Sequence, residues 1–302
     1  MASAHEGRPH PPSPGRRRPG EEASGYYPGV SLLIDSLTDA DLPAALSLST
    51  EAEWNQTAAD WRRLLALHPR GCLAGRLDGE LVATATRADY GGAGWIGMVL
   101  VRKALRGRGF GKVMLERAIG EGPCGLDATD LGRPLYQRMG FADVAPIDRW
   151  VGSLRPTPHA NVEPLRPDLL PAVLAFDEEA CGVWRVPLLG HLAGEPGSRQ
   201  WVALDGDRVV GLAFLRPGRE HWHLGPVTCQ DASVLARLLG AAAVALEGAT
   251  VLVDALRDDQ RGAVLAAAGL AVQRRLTRMT RPGGQGMLMG PQVAAATAFE
   301  WG

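Results

Sequence analysis

The sequence predicts a mixed α/β protein (α+β in detail) built as two tandem units, each a mixed central sheet flanked by helices. Three observations predict it. Short β-branched apolar runs alternate with stretches of helical period. One of the runs, Trp95 to Val101, passes through a glycine-rich turn into a helical pattern carried by Val113, Met114, Leu115, Ala118 and Ile119. After a proline-containing stretch, Leu154 to Asn161, the order of elements repeats.

Residues 1–28 are dense in Pro, Gly, Arg, Ser and Glu, with almost nothing to bury, and are expected to be a disordered tail. Arg16-Arg17-Arg18 reads as a solvated charge run. Val30 to Leu37 suits a first strand. Asp39 or Asp41 caps a helix running to about Thr50, and Thr57 caps a second over Ala58 to Leu67, with Asp60 in its first turn. Cys72 to Leu77 and Leu81 to Asp89 form a strand pair across Asp78-Gly79, a dipeptide that favours tight hairpins. Trp95 to Val101 follows, then a helix to about Ile119, a strand at Gly125 to Ala128, a helix at Leu131 to Met139 and a strand from Phe141 to Val151.

Leu154 to Asn161, with Pro156 and Pro158, reads as a linker, so the expected units are 29–152 and 161–302, joined by 153–160. In the second unit Val162 to Leu165 suits a strand and Asp168 to Ala180 a helix. Val186 to Leu192 is a short helix, and Trp201 to Leu204 pairs with Val209 to Leu215 across Asp205-Gly206. His221 to Val227, a helix over Ala232 to Leu246, Val251 to Ala255, a helix near Arg261 to Ala268 and a strand from Val272 to Met279 complete the round.

The chemistry concentrates at Arg106-Gly107-Arg108-Gly109-Phe110-Gly111-Lys112. Three glycines in six positions before a helix leave backbone amides free at its positive end, which suits a pyrophosphate. The spacing is neither G-x-G-x-x-G nor that of a P-loop. Taken alone, such a loop is equally a surface turn.

Two motifs in agreement decide between these. The apolar strand followed by Arg106, Gly109 and Gly111 resembles the cofactor motif [Q/R]-x-x-G-x-[G/A] of the GNAT (Gcn5-related) N-acetyltransferases. Leu135-Tyr136-Gln137-Arg138-Met139-Gly140-Phe141 resembles that family's later helix, which carries a Tyr and ends in Gly-Phe. The resemblance covers residues 30 to 152 and implies an acetyl-CoA-dependent N-acyltransferase, with acetyl-CoA as acyl donor and no metal. It implies that the backbone of Val99 and Val101 holds the pantetheine and thioester, with Val99 as oxyanion donor. It implies cofactor contacts from Arg106, Gly107, Arg108, Gly109, Phe110, Gly111 and Lys112, and Tyr136 as the acid that protonates the leaving thiolate. Seven residues before that Tyr the family often has Asn; here Thr129 stands, with Arg133 nearby as a substitute contact.

The helix-to-helix segment borders the acceptor side in that fold, so Trp54, Asn55 and Gln56 are candidate substrate contacts, against a packing Trp beside a capped turn. No acid lies within Trp95 to Val101, leaving Asp89, Glu53 or a water relay as general base. The second unit resembles a degenerate copy: Cys229-Gln230-Asp231-Ala232-Ser233 stands where the phosphate loop would be, without glycine and with a repelling carboxylate. It is expected to extend the acceptor cleft through Trp184, Arg185, Arg216, His221 and Trp222. His221 and His223 share a strand face but lack a third metal ligand.

Composition bounds the partners. A chain of 302 residues, 46% apolar and 22% charged, has the size of two globular domains, and its net charge of −1 gives no field for nucleic acid or an anionic membrane. No apolar run approaches the length of a membrane span. Lys103 and Lys112 are the only lysines among 32 basic residues, a codon bias rather than a function. Four scattered cysteines, Cys72, Cys124, Cys181 and Cys229, indicate neither disulfides nor a metal cluster and read as buried apolar residues. A cytoplasmic protein acting on a small-molecule amine is expected, as monomer or homodimer. The alternatives are a CoA-binding regulatory or ligand-binding module and a protein or peptide N-acetyltransferase.

Overall fold

The computed structural model describes residues 25–27 and 30–302. Most of the expected tail, Arg16-Arg17-Arg18 included, lies outside the described residues. Gly25–Tyr27, however, forms β1, paired antiparallel with β2 (Val30–Ser36) from Gly25 opposite Leu32 to Tyr27 opposite Val30. This corrects the tail expected to residue 28, and the β-propensity of two consecutive tyrosines accounts for it.

The first half continues through α1 (Leu42–Glu51), α2 (Ala58–Leu67), β3 (Cys72–Leu77), β4 (Glu80–Asp89), β5 (Gly94–Val101), α3 (Phe110–Ile119), β6 (Cys124–Ala128), α4 (Arg133–Arg138) and β7 (Ala142–Ser153). The second comprises β8 (Val162–Pro164), α5 (Leu170–Cys181), α6 (Val186–Ala193), β9 (Arg199–Asp205), β10 (Arg208–Arg216), β11 (Trp222–Cys229), α7 (Ala232–Leu246), β12 (Thr250–Leu256), α8 (Asp259–Ala267), β13 (Leu270–Thr280) and β14 (Val293–Ala295). Caps set the helix starts. Thr57 and Asp60 form a reciprocal box at α2, the Thr57 amide donating to Asp60 Oδ2 at 2.7 Å and the Ala59 amide to Thr57 Oγ1 at 3.2 Å.

All fourteen strands join one sheet in the order β1-β2-β3-β4-β5-β6-β13-β7-β12-β14-β11-β10-β9-β8. One expectation is corrected here. The strand Val272 to Met279 was to close the second half's own sheet; instead β13 lies between β6 and β7, while β7 lies between β13 and β12. Each half thus lends its last long strand to the other. Alternation marks these residues as strands but names no partner, so the exchange is set by tertiary packing. Buried ion pairs fasten it: Arg278 of β13 to Asp127 of β6 at 2.9 Å through two bonds, and Arg149 of β7 to Asp254 of β12 at 2.7 Å through two bonds.

One face of the sheet carries α1, α2, α5 and α6 over a core shared by both halves, including Leu48, Trp61, Leu64, Leu188 and Leu192. On the other face α3 packs on the first half through Phe110, Met114 and Leu115, and α7 and α8 pack on the second through Leu235, Leu238 and Leu265.

The halves share one irregularity. β5 pairs in parallel with β6 at only two positions, Gly94 with Cys124 and Trp95 with Gly125. β11 pairs with β12 at only two, Trp222 with Val251 and His223 with Leu252. Beyond these pairs the strands diverge, and Gly97 and Gly225 occupy equivalent places, each three residues beyond the first pair. The divergence ends differently in the two halves. Between β11 and β12, β14 enters and pairs with both, Ala295 lying opposite Val227 and opposite Ala255. Among the described residues no strand enters between β5 and β6.

Candidate active site

The open divergence of β5 and β6 holds a cleft of about 750 Å³. Its shape begins with a bulge in β5. Thr84 and Thr86 of β4 face Leu100 and Gly97, so Met98 and Val99 stand against the single Ala85, and Met98 takes φ 47°. The Thr84 hydroxyl donates to the Met98 carbonyl at 2.8 Å and holds the bulge in place. From Ile96 to Val101 the strand is paired on the β4 side alone, so its other edge borders the cleft.

At one end the cleft meets the start of α3. Gly107 and Gly109 take φ 79° and 85°, conformations that side-chained residues rarely adopt, and Gly109 caps the helix without a side chain. The first amides of α3 are therefore left to a ligand. Lys103, Arg106, Lys112 and Arg138 line this end, with Glu51 as the local carboxylate; Arg106 Nε donates to the Val101 carbonyl at 3.1 Å. The second half is built oppositely. Asp231 caps α7, accepting from the amides of Ser233 at 2.8 Å and Val234 at 3.0 Å, so its own carboxylate takes the helix terminus.

Tyr136 lines the wall opposite β5, half-buried and edge-on to Phe141 with ring centroids 6.2 Å apart. Gly132 makes room for it, since a Cβ there would stand 2.8 Å from the ring. Burial pushes its phenol up to about 12, so it holds its proton through neutral pH. Thr129 lines the same wall and its hydroxyl accepts from the Gly132 amide at 3.2 Å, turning the chain into α4.

Of the residues singled out in the sequence, the structure brings Val99, Val101, Arg106, Gly107, Gly109, Phe110, Gly111, Lys112, Thr129, Tyr136, Glu53, Trp54 and Gln56 to this cleft. Others stand elsewhere. Arg108 is exposed on the loop, and Arg133 is paired with Asp143. Asn55 is spent on the β10–β11 loop, donating to the His221 carbonyl at 2.8 Å and accepting from the amides of Glu220 and His221. Asp89 holds the turn at Gly91 and Gly92. Trp184 is 52% exposed outside the cleft, and Arg185 is buried in a two-bond pair with Asp177 at 2.6 and 2.7 Å. His223 Nδ1 accepts from Arg216 Nη2 at 3.2 Å, and burial holds the imidazole well below its ordinary value, hence neutral.

Several lining residues were not anticipated. Arg149, Arg274 and Leu276 arrive through the exchanged strands, and Phe299 and Glu300 through the end of the chain. The Ala-rich composition of 293–298 gives no sign that the three residues after it reach β5.

Two family models match: residues 36–141 match the acetyltransferase (GNAT) family and residues 173–296 an acetyltransferase (GNAT) domain. The chain belongs to the GNAT acetyltransferases. It carries two copies of the GNAT unit and is an acyltransferase of that type. Holothin acyltransferase from Pseudoalteromonas sp. (strain SANK 73390) is 26% identical to this GNAT protein over 210 residues, 67% of this chain and 71% of the relative. Among solved structures, a putative acetyltransferase from Pyrococcus horikoshii superposes with a TM-score of 0.78 at 20% identity, covering 94% of this chain and all of that one. A tandem GNAT protein from the clavulanic acid biosynthesis pathway gives 0.60 at 17% identity, covering 82% and 98%. Similarity at that level shows the shared fold. No helix among the described residues is long and apolar enough to cross a membrane.

Proposed function

We propose that this chain transfers an acetyl group from acetyl-CoA to the primary amine of a small molecule, in one direct step at the cleft between β5 and β6. The observation that carries the reading is the continuity of the cleft, from an uncapped cationic helix start, along the open edge of β5, to a chamber beside Gln56 and Phe299.

Acetyl-CoA, when bound, supplies a thioester whose carbonyl is open to attack and whose thiolate is a good leaving group. Gly107 to Gly111 and the first amides of α3 fit its pyrophosphate, helped by roughly half a positive charge from the helix dipole. The free edge of β5 fits the pantetheine amides, and the Val99 amide is the donor proposed for the oxyanion. Tyr136, protonated at neutral pH, gives its proton to the departing sulfur.

Direct transfer is supported by the cysteines. None lines the cleft; all four are buried, and burial pushes Cys72, Cys181 and Cys229 up to about 12, far from a nucleophilic thiolate. A small acceptor is supported by Phe299 and Glu300, which add to the lining of the cleft beside Gln56. A cytoplasmic setting accords with four free thiols.

A thermal-shift series with acetyl-CoA and longer acyl-CoAs, followed by free-thiol release over a panel of primary amines, tests the reading. Acetyl-CoA should stabilise the protein and thiol release should require an amine. Stabilisation with no amine-dependent release would make it a CoA-binding module instead.

A further inference from the structure

The last seven residues, 296–302, leave β14 and cross to the first half. Their path is built in. The Thr297 carbonyl accepts from Arg216 at 2.9 Å and its hydroxyl from Arg185 at 3.0 Å. The Phe299 carbonyl accepts from Trp95 Nε1 at 2.8 Å, and the Trp301 carbonyl from the Tyr90 hydroxyl at 2.6 Å. Trp301 is fully buried. Gly225 and Gly97, the equivalent glycines of the two diverging strands, both lie under this segment. A Cβ on Gly225 would stand 2.2 Å from the Ala296 carbonyl oxygen, and one on Gly97 would stand 2.6 Å from Glu300 Cα. The terminus therefore fills the second divergence and leads Glu300 into the first.

Glu300 is 2% exposed, lines the cleft beside Gly97 and Val99, and accepts at Oε2 from Gln56 Nε2 at 2.8 Å. Its Oε1 is buried and has no partner among the described residues. The charged groups facing it are committed elsewhere. Asp60 of α2 pairs with Arg63 at 2.9 Å and Arg216 of β10 at 3.6 Å; Arg149 of β7 is taken by Asp254, and His223 of β11 is neutral. A carboxylate oxygen desolvated without a donor is unfavourable, and an incoming ammonium would supply the missing charge and hydrogen.

We infer that Glu300 is a catalytic residue: its carboxylate binds the ammonium of the acceptor and takes its proton. This rests on the acetyl-CoA-dependent reading above. In the step, the ammonium gives one proton to Glu300, which passes it to solvent. The freed lone pair forms the C–N bond, the C–S bond breaks, and the thiolate takes the Tyr136 proton. The second proton lost by nitrogen restores Tyr136, so the products are amide, CoA thiol and one proton released. Burial raises Glu300 above an ordinary carboxylate, with Asp60 adding to the rise and Arg216 opposing it. Its base form is thus gained at a higher pH than a solvated carboxylate would require.

The test compares full-length wild type with Glu300→Gln, using ethanolamine, putrescine and glycine methyl ester as amines. Glu300→Gln should keep its acetyl-CoA thermal shift, lose about 100-fold or more in kcat/KM, and lose the rise of kcat/KM with pH that wild type shows. Retention within threefold overturns the assignment. If none of the three amines turns over, the same amines are titrated into CoA-loaded protein. Stabilisation of wild type but not of Glu300→Gln supports the assignment, and equal shifts, or none in wild type, overturn it. Failure of acetyl-CoA itself to stabilise wild type is read before any amine is added and counts against the parent reading.

Discussion

Tyr136 enters the cleft because Gly132 yields space and Phe141 packs its edge, and burial keeps the phenol protonated. Tyr136→Phe keeps the ring and removes only the hydroxyl, so acetyl-CoA affinity should hold while the rate falls about 100-fold to 10,000-fold. Single-turnover measurement checks this free of product release, and a fall of less than threefold would make Tyr136 a packing residue. Because the phenol titrates at about 12, it should cause no loss of rate between neutral pH and about pH 10. That the glycine loop and Tyr136 would share one cleft was legible in the sequence because each is a local spacing of residues with a chemical reason. Arg185 and Asn55 read as candidate acceptor contacts, yet Asp177 and the β10–β11 loop consume their hydrogen bonds. The partner of Asn55 lies 166 residues away, and the pairing of Arg185 with Asp177 depends on how α5 meets α6, so neither leaves a local mark.

Most elements were legible for the same local reasons. The Thr57 box and the Asp78-Gly79 and Asp205-Gly206 turns set boundaries that the structure keeps within a few residues. β14 and the terminal crossing were not, since Gly- and Ala-rich sequence from 282 to 298 has neither helical nor strand period. That crossing depends on a glycine. Gly97→Val places side-chain carbon where Glu300 Cα lies, 2.6 Å from a Cβ, and the close atom is backbone that cannot swing aside. The variant should bind acetyl-CoA as wild type does, melt several degrees lower and turn over amines at least tenfold more slowly, as thermal shift and thiol release will show. Unchanged turnover in a folded Gly97→Val protein would separate the terminus from acceptor chemistry.

The repeat in the sequence implies two units, and the molecule has two, but their sheets are completed by exchange. A chain ending at Leu154 lacks β13, which leaves β6 and β7 without the strand between them and Asp127 buried without Arg278. An unpaired strand edge and an uncompensated buried carboxylate each cost several kcal/mol, against a total stability of about 5–15 kcal/mol. Such a chain should show no cooperative melting transition, measured by circular dichroism; a sharp transition would mean that the first half folds without its neighbour's strand. The two halves then divide the work. One divergence stays open under an uncapped helix, while the other is filled by β14 beside a helix capped by Asp231. Calorimetric titration of the full-length protein with acetyl-CoA tests that division most directly. One molecule should bind per chain, and Gly109→Val should abolish binding while the protein stays folded. Two molecules per chain, or undiminished binding in folded Gly109→Val, would contradict it.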